Sequence, residues 1–231
     1  MIFGGTTEGR EIACQCAAQG DDILVCVFSE AGRRQLPEGM NCHVGPLDAG
    51  EMAEKARAFG AEEIIDATHP FAEAVTRNIR ACAEETSIPM RRIHRSSDRE
   101  ADFSDAVTWV DSAQEAAELL KKETGNIFLA TGSNTIGVYA AALGTDRLYV
   151  RVLPNRRSIE KCDLAGMPAA HVIAMQGPFS EELNGALYRL WQIRHLVSKD
   201  SGDVGGVREK VLPALAMGIH VVMIRRPLQE D

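Results

Sequence analysis

Glycine and threonine residues near the N-terminus have the types and spacing of a phosphate-binding turn. The stretch Gly4-Gly5-Thr6-Thr7-Glu8-Gly9-Arg10 follows a short apolar strand and precedes a predicted helix. Glycines let the backbone approach a ligand closely, and the free N–H groups of a helix N-terminus attract anions. The glycine spacing is neither that of the dinucleotide fingerprint nor that of a P-loop. An ordinary strand-to-helix turn is therefore the alternative interpretation.

A histidine and a lysine are the candidates for moving a proton or stabilising charge. His69 lies in Asp66-Ala67-Thr68-His69-Pro70-Phe71-Ala72, where it could donate a hydrogen bond or a proton, or only cap the next helix. Lys199 lies in Ser198-Lys199-Asp200-Ser201-Gly202 at a predicted strand end. It could hold a carboxylate, a phosphate or developing negative charge, or form a salt bridge to Asp200 or Asp203.

Two further polar turns and several arginines could contact ligands. Thr131-Gly132-Ser133-Asn134 is a turn of small hydroxyl and amide residues, and Gln176-Gly177-Pro178-Phe179 combines close backbone approach with a flat apolar ring. Arginines such as Arg151, Arg156 and the group around Arg91 could bind carboxylates bidentately. We expect Arg156 and Arg157 to lie in a turn that starts at Pro154.

Arg33 and Arg34 follow the second predicted strand, together with Ser29. In dinucleotide-binding folds this position meets the adenosine ribose, and an arginine there accommodates a 2′-phosphate. Arg33 therefore favours NADPH over NADH, while a solvated surface loop is the alternative.

The elements that would position these residues alternate between strand and helix. Predicted strands are 2–3, 23–28, 41–44, 63–66, 88–93, 107–110, 126–130, 148–153, 171–175, 194–197 and 220–224; predicted helices are 8–19, 48–59, 71–85, 112–122, 181–191 and 207–217. This alternation is typical of α/β folds with mainly parallel sheets. The second half repeats the first, so we expect two domains, 1–100 and 101–231, joined within the polar stretch 95–105.

The composition indicates a soluble chain with a small-molecule ligand. A formal charge of -8 disfavours nucleic acid and anionic membranes as partners, and no apolar run is long enough to span a bilayer. With no signal-type N-terminus, we expect a cytoplasmic protein. The six cysteines form no metal-binding pattern, so we expect reduced thiols and assign no metal. The sequence indicates no oligomeric state.

Four ordered motifs together resemble the precorrin-6A reductase family of cobalamin biosynthesis, whose members act on precorrin-6A or its cobalt form. They are the glycine turn at 4–10, the histidine turn at 66–72, Gln176-Gly177-Pro178-Phe179-Ser180 with Glu182 and Leu183, and the lysine loop at 198–202. The first strand is shorter than is usual in the family, so we expect a few N-terminal residues to be missing. Asp203-Val204-Gly205-Gly206 is a second departure from the family pattern.

The resemblance implies two Rossmann-like domains with a nicotinamide cofactor and a tetrapyrrole in the cleft between them. It implies hydride delivery to a double bond of the macrocycle and a proton at the neighbouring carbon. The implied catalytic residues are Lys199 and His69. The cofactor set is Gly4, Gly5, Thr6, Thr7, Glu8, Arg33, Thr131, Gly132 and Ser133. The substrate set is Thr68, Arg10, Arg151, Gln176, Gly177, Phe179, Ser198, Asp200, Ser201 and Gly202.

Two other functions are alternatives to this reductase hypothesis. NAD(P)-dependent sugar epimerases and short-chain dehydrogenases usually need a tyrosine and a lysine four residues apart on one helix face. The residues four positions after Tyr139, Tyr149 and Tyr188 are Leu143, Leu153 and Gln192. The sequence therefore disfavours that class. A non-catalytic NAD(P)H sensor would bind the cofactor without turning over a tetrapyrrole, and it stays as an alternative.

Overall fold

Buried apolar strands alternate with helices along both halves of the chain. The computed structural model describes residues 1–69, 71–93, 104–201 and 206–226. The chain forms two compact units, Met1–Arg95 (unit 1) and Ser96–Asp231 (unit 2). Each unit contains one parallel sheet with helices between its strands, which confirms the predicted α/β class. The predicted boundary at 100/101 falls outside the described residues and stays a proposal.

Unit 1 has five parallel strands in the order β3-β2-β1-β4-β5. The strands are β1 (Ile2–Phe3), β2 (Val25–Val27), β3 (Cys42–Val44), β4 (Ile64–Asp66) and β5 (Met90–Arg92), and the helices are α1 (Thr7–Gln19), α2 (Glu30–Arg33), α3 (Ala49–Phe59) and α4 (Glu73–Thr86). The chain leaves β1 toward β2 and β3 and later returns to β1's other side as β4. This reversal makes the carboxyl ends of β1 and β4 the switch point, where open α/β sheets bind ligands.

Unit 1 buries both faces of its sheet. Phe3 belongs to an apolar cluster with Met52 of α3 and Ile79 of α4, whereas Ile2 packs in a second cluster with Ala13 of α1. A strand covered on both sides reads as a continuous apolar run, which is why the strands of this unit could be predicted. The predicted caps Gly20 and Asp48 are also confirmed.

Unit 2 has six parallel strands in the order β6-β11-β10-β7-β8-β9. The strands are β6 (Thr108–Val110), β7 (Asn126–Leu129), β8 (Leu148–Val152), β9 (Val172–Ala174), β10 (Ile193–Lys199) and β11 (His220–Ile224), and the helices are α5 (Ala113–Leu120), α6 (Ile136–Leu143), α7 (Arg156–Leu164), α8 (Glu181–Leu190) and α9 (Val207–Ala216). Here β7 and β10 flank the switch point. The lysine loop and the turn at Thr131 follow these two strands.

Two helices of unit 2 differ from the sequence prediction. The predicted turn at Arg156 and Arg157 is wrong, because both residues begin α7. Asn155 caps this helix, since its side chain accepts a hydrogen bond from Ser158 N at 2.9 Å. Helix α6 was not predicted because Ile136–Leu143 is apolar on nearly every side and has no amphipathic pattern.

A chain of hydrogen bonds connects the amino ends of β6, β11 and β10. Thr108 Oγ1 lies 2.8 Å from His220 Nε2, the two Nδ1 atoms of His220 and His195 are 3.3 Å apart, and His195 Nε2 lies 2.8 Å from Thr124 O. The carbonyl only accepts, so neutral His195 carries its proton on Nε2 and His220 donates from Nδ1. The contact between the two Nδ1 atoms requires at least one of the two imidazoles to be neutral. Burial, and then His195, lower the pKa of His220.

Within the described residues no helix is both long and apolar enough to cross a membrane.

Candidate functional site

The glycine turn lies at the carboxyl end of β1 and leads directly into α1. Thr6 is the N-cap: its Oγ1 accepts from Gly9 N at 3.1 Å and donates to Ala67 O at 2.9 Å. Gly5 has a φ of 114°, a conformation that favours glycine. A Cβ at Gly9 would lie 3.2 Å from both the Ala67 Cβ and the Gly4 Cα. The turn is therefore bound tightly to the loop after β4.

Three further predicted residues of this turn lie on the first turn of α1. Arg10 donates from Nη2 to Thr7 Oγ1 at 3.0 Å, and its Nη1 donates to Gln35 Oε1. Helix geometry leaves the first-turn amides, which include those of Thr7 and Glu8, without acceptors inside the helix. These amides, the helix dipole and the Arg10 guanidinium together favour an anion at this end of α1.

Asp66 organises the neighbouring loop after β4. Its carboxylate is fully buried; Oδ1 accepts from Thr68 N at 3.0 Å and from Thr68 Oγ1 at 2.6 Å, and Oδ2 accepts from Thr76 Oγ1 at 2.9 Å. Arg92 on β5 lies 3.6 Å from Oδ2 and is 12% exposed. The sequence prediction treated Asp66 only as a strand end, although a carboxylate after two buried isoleucines was a usable signal.

His69 stands at the exposed edge of this loop. Its Nδ1 accepts a hydrogen bond from Phe71 N at 3.2 Å, so neutral His69 carries its proton on Nε2. The ring thus helps to shape the turn before α4. His69 does not cap α4, because the N-cap residue is Ala72 and no side chain caps that end; a catalytic role for His69 stays a prediction. Pro70 lies outside the described residues.

Arg33 lines a depression formed by α2 and the segment that leads from α2 into β3. The depression has a volume of about 200 Å³ and is lined by Glu30, Arg33, Arg34, Leu36, Pro37, Glu38, Gly39, Met40 and Cys42. Burial raises the pKa of the Cys42 thiol, and the adjacent Arg33 opposes that rise. Two guanidinium groups beside an open depression suit an anionic group of a ligand.

At the switch point of unit 2, the turn after β7 is tied to neighbouring helices. Thr131 Oγ1 lies 3.0 Å from Thr135 Oγ1, and Ser133 Oγ donates to Ser158 Oγ of α7 at 3.3 Å. Gly132 has a φ of 77°. The predicted residues Thr131, Gly132 and Ser133 therefore form a turn that other side chains fix in place.

The lysine loop begins at the last residue of β10. Lys199 is half-buried and pairs in register with Ile224, and the next residue, Asp200, is held by Arg226. Arg226 Nε lies 2.8 Å from Asp200 Oδ2, and Nη2 donates to Oδ1 at 3.0 Å. This bidentate pair fixes the carboxyl end of β10 to that of β11. Ser201 is buried, and Gly202 and Asp203 lie outside the described residues.

Arg151 and Phe179 meet in unit 2. The Arg151 guanidinium carbon lies 3.8 Å from the centre of the Phe179 ring, and Arg151 Nη1 donates to Asn184 Oδ1 at 2.7 Å. Gln176 and Gly177 are exposed in the same loop, and a Cβ at Gly177 would come within 3.0 Å of the Phe179 ring. Arg151 and Phe179 were predicted as substrate residues from the sequence. Asn184 was missed, because it lies on α8, far along the chain from Arg151 on β8.

Other predicted cations have partners inside their own unit. Arg91 Nε lies 3.0 Å from Glu63 Oε1, and Arg156 Nε lies 2.6 Å from Glu160 Oε1. Since ion pairs do not prevent contact with a ligand, a substrate role for Arg91 and Arg156 stays a prediction. Within the described residues no group of three or more His, Cys, Asp or Glu side chains could hold a metal ion.

Comparison with known proteins gives a full-length match. A family model described as precorrin-6x reductase CbiJ/CobK matches residues 1–231. The chain belongs to this family. The resemblance inferred from the four motifs is therefore confirmed.

Relatives of the precorrin-6x reductase family match nearly the whole chain. A cobalt-precorrin-6A reductase of Methanothermobacter thermautotrophicus is 40% identical over 235 residues, which cover 98% of this chain and 76% of that protein. A cobalt-precorrin-6A reductase of Priestia megaterium is 36% identical, and the match covers 98% of this chain and 90% of that protein. A precorrin-6A reductase of Rhodococcus erythropolis is 34% identical, and the match covers 98% of this chain and 88% of that protein.

A solved structure described as CobK precorrin-6A reductase shares the fold. It superposes with a TM-score of 0.79 and covers all of this chain and 88% of that chain, at 23% identity. At this identity the likeness establishes the architecture of this reductase family member and nothing about individual site residues.

Proposed function

We propose that this chain reduces a double bond of precorrin-6A, or of its cobalt form, with NAD(P)H, giving precorrin-6B or its cobalt form in cobalamin biosynthesis. The observation that carries this proposal is the match of the reductase family model to residues 1–231. Relatives named for the metal-free and for the cobalt substrate both cover 98% of the chain. The metal content of the substrate is therefore left to the experiment.

The switch point of unit 1 fits the cofactor's phosphates. A Cβ at Gly9 would lie in tight contact with Ala67 and Gly4, and the α1 N-terminus with Arg10 attracts an anion. We assign Gly4, Gly5, Thr6, Thr7 and Glu8 to the phosphates and Arg33 to a 2′-phosphate, which favours NADPH. Thr131, Gly132 and Ser133 of unit 2 are also assigned to the cofactor.

The substrate residues are assigned mainly to unit 2. Lys199 and Arg151 supply positive charge for a substrate with many carboxylates. Ser198, Asp200, Ser201 and Gly202 form the lysine loop, and Gln176, Gly177 and Phe179 form the second loop. Thr68 and Arg10 are the substrate contacts proposed in unit 1.

When bound, reduced nicotinamide supplies a hydride to one atom of the macrocycle's double bond. The neighbouring carbon takes a proton, for which we propose three candidate donors: Lys199 Nζ, His69 in its imidazolium form, and ordered water. The chain needs no nucleophile for this reaction, because its residues have only to orient the two ligands and exclude water.

The test is loss of nicotinamide absorbance when the purified protein is mixed with precorrin-6A or its cobalt form and either NADPH or NADH. We expect turnover with one tetrapyrrole and a preference for NADPH. Binding of NADPH without turnover of either tetrapyrrole would reject the reductase and favour the non-catalytic sensor.

A further inference from the structure

Two buried cations lie close together on one face of the unit 2 sheet. Arg151 projects from β8, and Lys210 belongs to α9; both side chains are only 7% exposed. Lys210 occupies the buried side of α9, three residues after Val207 and four before Ala214. Burying a charge is costly unless an opposite charge or several hydrogen bonds compensate for it.

Arg151 has few partners for a buried guanidinium. Nη1 donates to Asn184 Oδ1, and one face of the group lies on Phe179. Among the described residues no carboxylate lies within ion-pair distance of Arg151, and no second acceptor takes its other N–H groups. Burial lowers the pKa of Arg151 to about 10. The other N–H groups of the Arg151 guanidinium can donate to both oxygens of one carboxylate.

Lys210 adds a second positive charge to the same surroundings. Asn184, which binds Arg151, also donates from Nδ2 to Glu209 O at 2.9 Å, and Tyr188 OH donates to Lys210 O at 3.0 Å. These contacts bring the start of α9 against α8 and Arg151. Burial, and then Arg151, lower the pKa of Lys210 to about 8, while Glu209 opposes that shift. No carboxylate of the described residues forms an ion pair with Lys210.

A third polar group faces the same side of the sheet. Ser198 follows Leu196 by two residues on β10, so it shares the face of Leu196, Phe128 and Tyr188. Its hydroxyl is fully buried and has no hydrogen-bond partner among the described residues. Ser198 and Arg151 are two strands apart, a distance of about 10 Å.

We propose that Arg151 and Lys210 form a carboxylate-binding site in unit 2 that holds one acidic side chain of the tetrapyrrole. The site rests on the proposed function for the identity of its ligand, and it adds Lys210, which the sequence prediction did not include. A carboxylate would give the guanidinium edge a bidentate partner and neutralise the repulsion between the two cations. A phosphate of the nicotinamide cofactor is the other oxyanion that the experiment must distinguish.

The test compares Lys210→Met with Lys122→Met, which makes the same change at an exposed position of unit 2. The probes are NADPH and uroporphyrin, a porphyrin whose side chains are acetate and propionate. Lys210→Met should weaken uroporphyrin binding at least about tenfold, because truncating one partner of a buried charge pair mainly speeds dissociation. NADPH affinity should stay the same, and Lys122→Met should change neither affinity.

Thermal unfolding distinguishes binding from a structural role. Removing a buried cation that forms no ion pair among the described residues should leave the unfolding midpoint of Lys210→Met unchanged or raise it. A lower midpoint with unchanged uroporphyrin affinity would overturn the proposal. Arg151→Met is the second variant and should weaken uroporphyrin binding as well, so the proposal remains testable if Lys210→Met does not fold.

The remaining outcomes distinguish failure of the carboxylate site from failure of the proposed reaction. Loss of NADPH affinity in place of uroporphyrin affinity would make this a cofactor phosphate site, and failure of the wild-type protein to bind uroporphyrin would reject the carboxylate site. If uroporphyrin binding depends on Lys210 but neither precorrin turns over, the site stands and the proposed reaction fails. If precorrin-6A turns over and both variants keep wild-type KM and uroporphyrin affinity, the reaction stands and the site fails.

Discussion

Replacing Asp66 by asparagine should destabilise unit 1 far more than its position at a short strand end suggests. The side chain is fully buried, accepts hydrogen bonds from Thr68 and Thr76, and lies 3.6 Å from Arg92. Asparagine has nearly the same shape and keeps an acceptor for Thr68. The main loss is the negative charge opposite Arg92.

The expected cost follows from the burial of Arg92. Its side chain is only 12% exposed, so Asp66→Asn leaves a largely desolvated guanidinium without a counter-ion. Removing one partner of a buried ion pair costs about 3–5 kcal/mol, and we expect about 3 kcal/mol here because Arg92 keeps some contact with water.

The same pair of strands supplies a matched control. Glu63 and Arg91 are also an acid and an arginine at β4 and β5, 3.0 Å apart, but their side chains are 47% and 52% exposed. Glu63→Gln should therefore cost at most about 1 kcal/mol. A double-mutant cycle with Arg92→Met and Arg91→Met would give the two coupling energies directly.

Urea unfolding followed by far-ultraviolet circular dichroism measures this loss. Trp109 and Trp191 are the chain's two tryptophans and both belong to unit 2, so tryptophan fluorescence reports on unit 2 in the same samples. Asp66→Asn should lower the free energy of unfolding of the circular dichroism transition. Equal losses for Asp66→Asn and Glu63→Gln would refute the argument that burial makes the Asp66 pair important.

Four further predictions concern pH, cofactor and substrate. The free energy of unfolding should fall as pH falls below about 6.5, because the lowered pKa of His220 means that the unfolded state binds more protons. In urea titrations at several pH values, His220→Gln should reduce the slope of unfolding free energy against pH. An unchanged slope would contradict this role of His220. Gly5→Val should weaken NADPH binding in calorimetry by at least about tenfold, because its side chain would enter the open space at the phosphate turn, and wild-type affinity would remove the cofactor from this turn. Arg33→Ala should lower the ratio of kcat/KM for NADPH to that for NADH by about tenfold, the loss expected for one charged hydrogen bond, and an unaltered ratio would reject a 2′-phosphate contact. Lys199→Met should raise KM or lower kcat for the tetrapyrrole and leave the Kd of NADPH unchanged. An equal loss of tetrapyrrole turnover and of NADPH affinity would remove Lys199 from the substrate side.

The order of elements could be predicted because local signals determine it. Gly20 ends α1 with a φ of 90°, and Asp48 begins α3 with a capping box, both of which are readable from residue types. Helix α7 was missed because Pro154 suggested a turn, although Asn155 is an N-cap residue. The lengths of β2 and β5 were overestimated, since apolar residues continue beyond the paired segment.

The candidate site was predictable only where a motif is continuous in the chain. The glycine turn and the lysine loop each lie within ten residues, and both are at switch points of their sheets. The surroundings of Arg151 combine β8, α8 and α9, and a local pattern cannot show that Asn184 and Lys210 approach it. A lysine on the apolar side of a predicted helix was the one available signal for Lys210.

A single-turnover reaction with NADPH deuterated at the transferred position tests the proposed reaction most directly. The purified protein, precorrin-6A or its cobalt form and the labelled NADPH would be mixed without oxygen, and the tetrapyrrole analysed by mass spectrometry. We expect a reduced macrocycle that carries the deuterium on carbon. Reduced product without deuterium, or unreduced tetrapyrrole beside protein that binds NADPH, would contradict it.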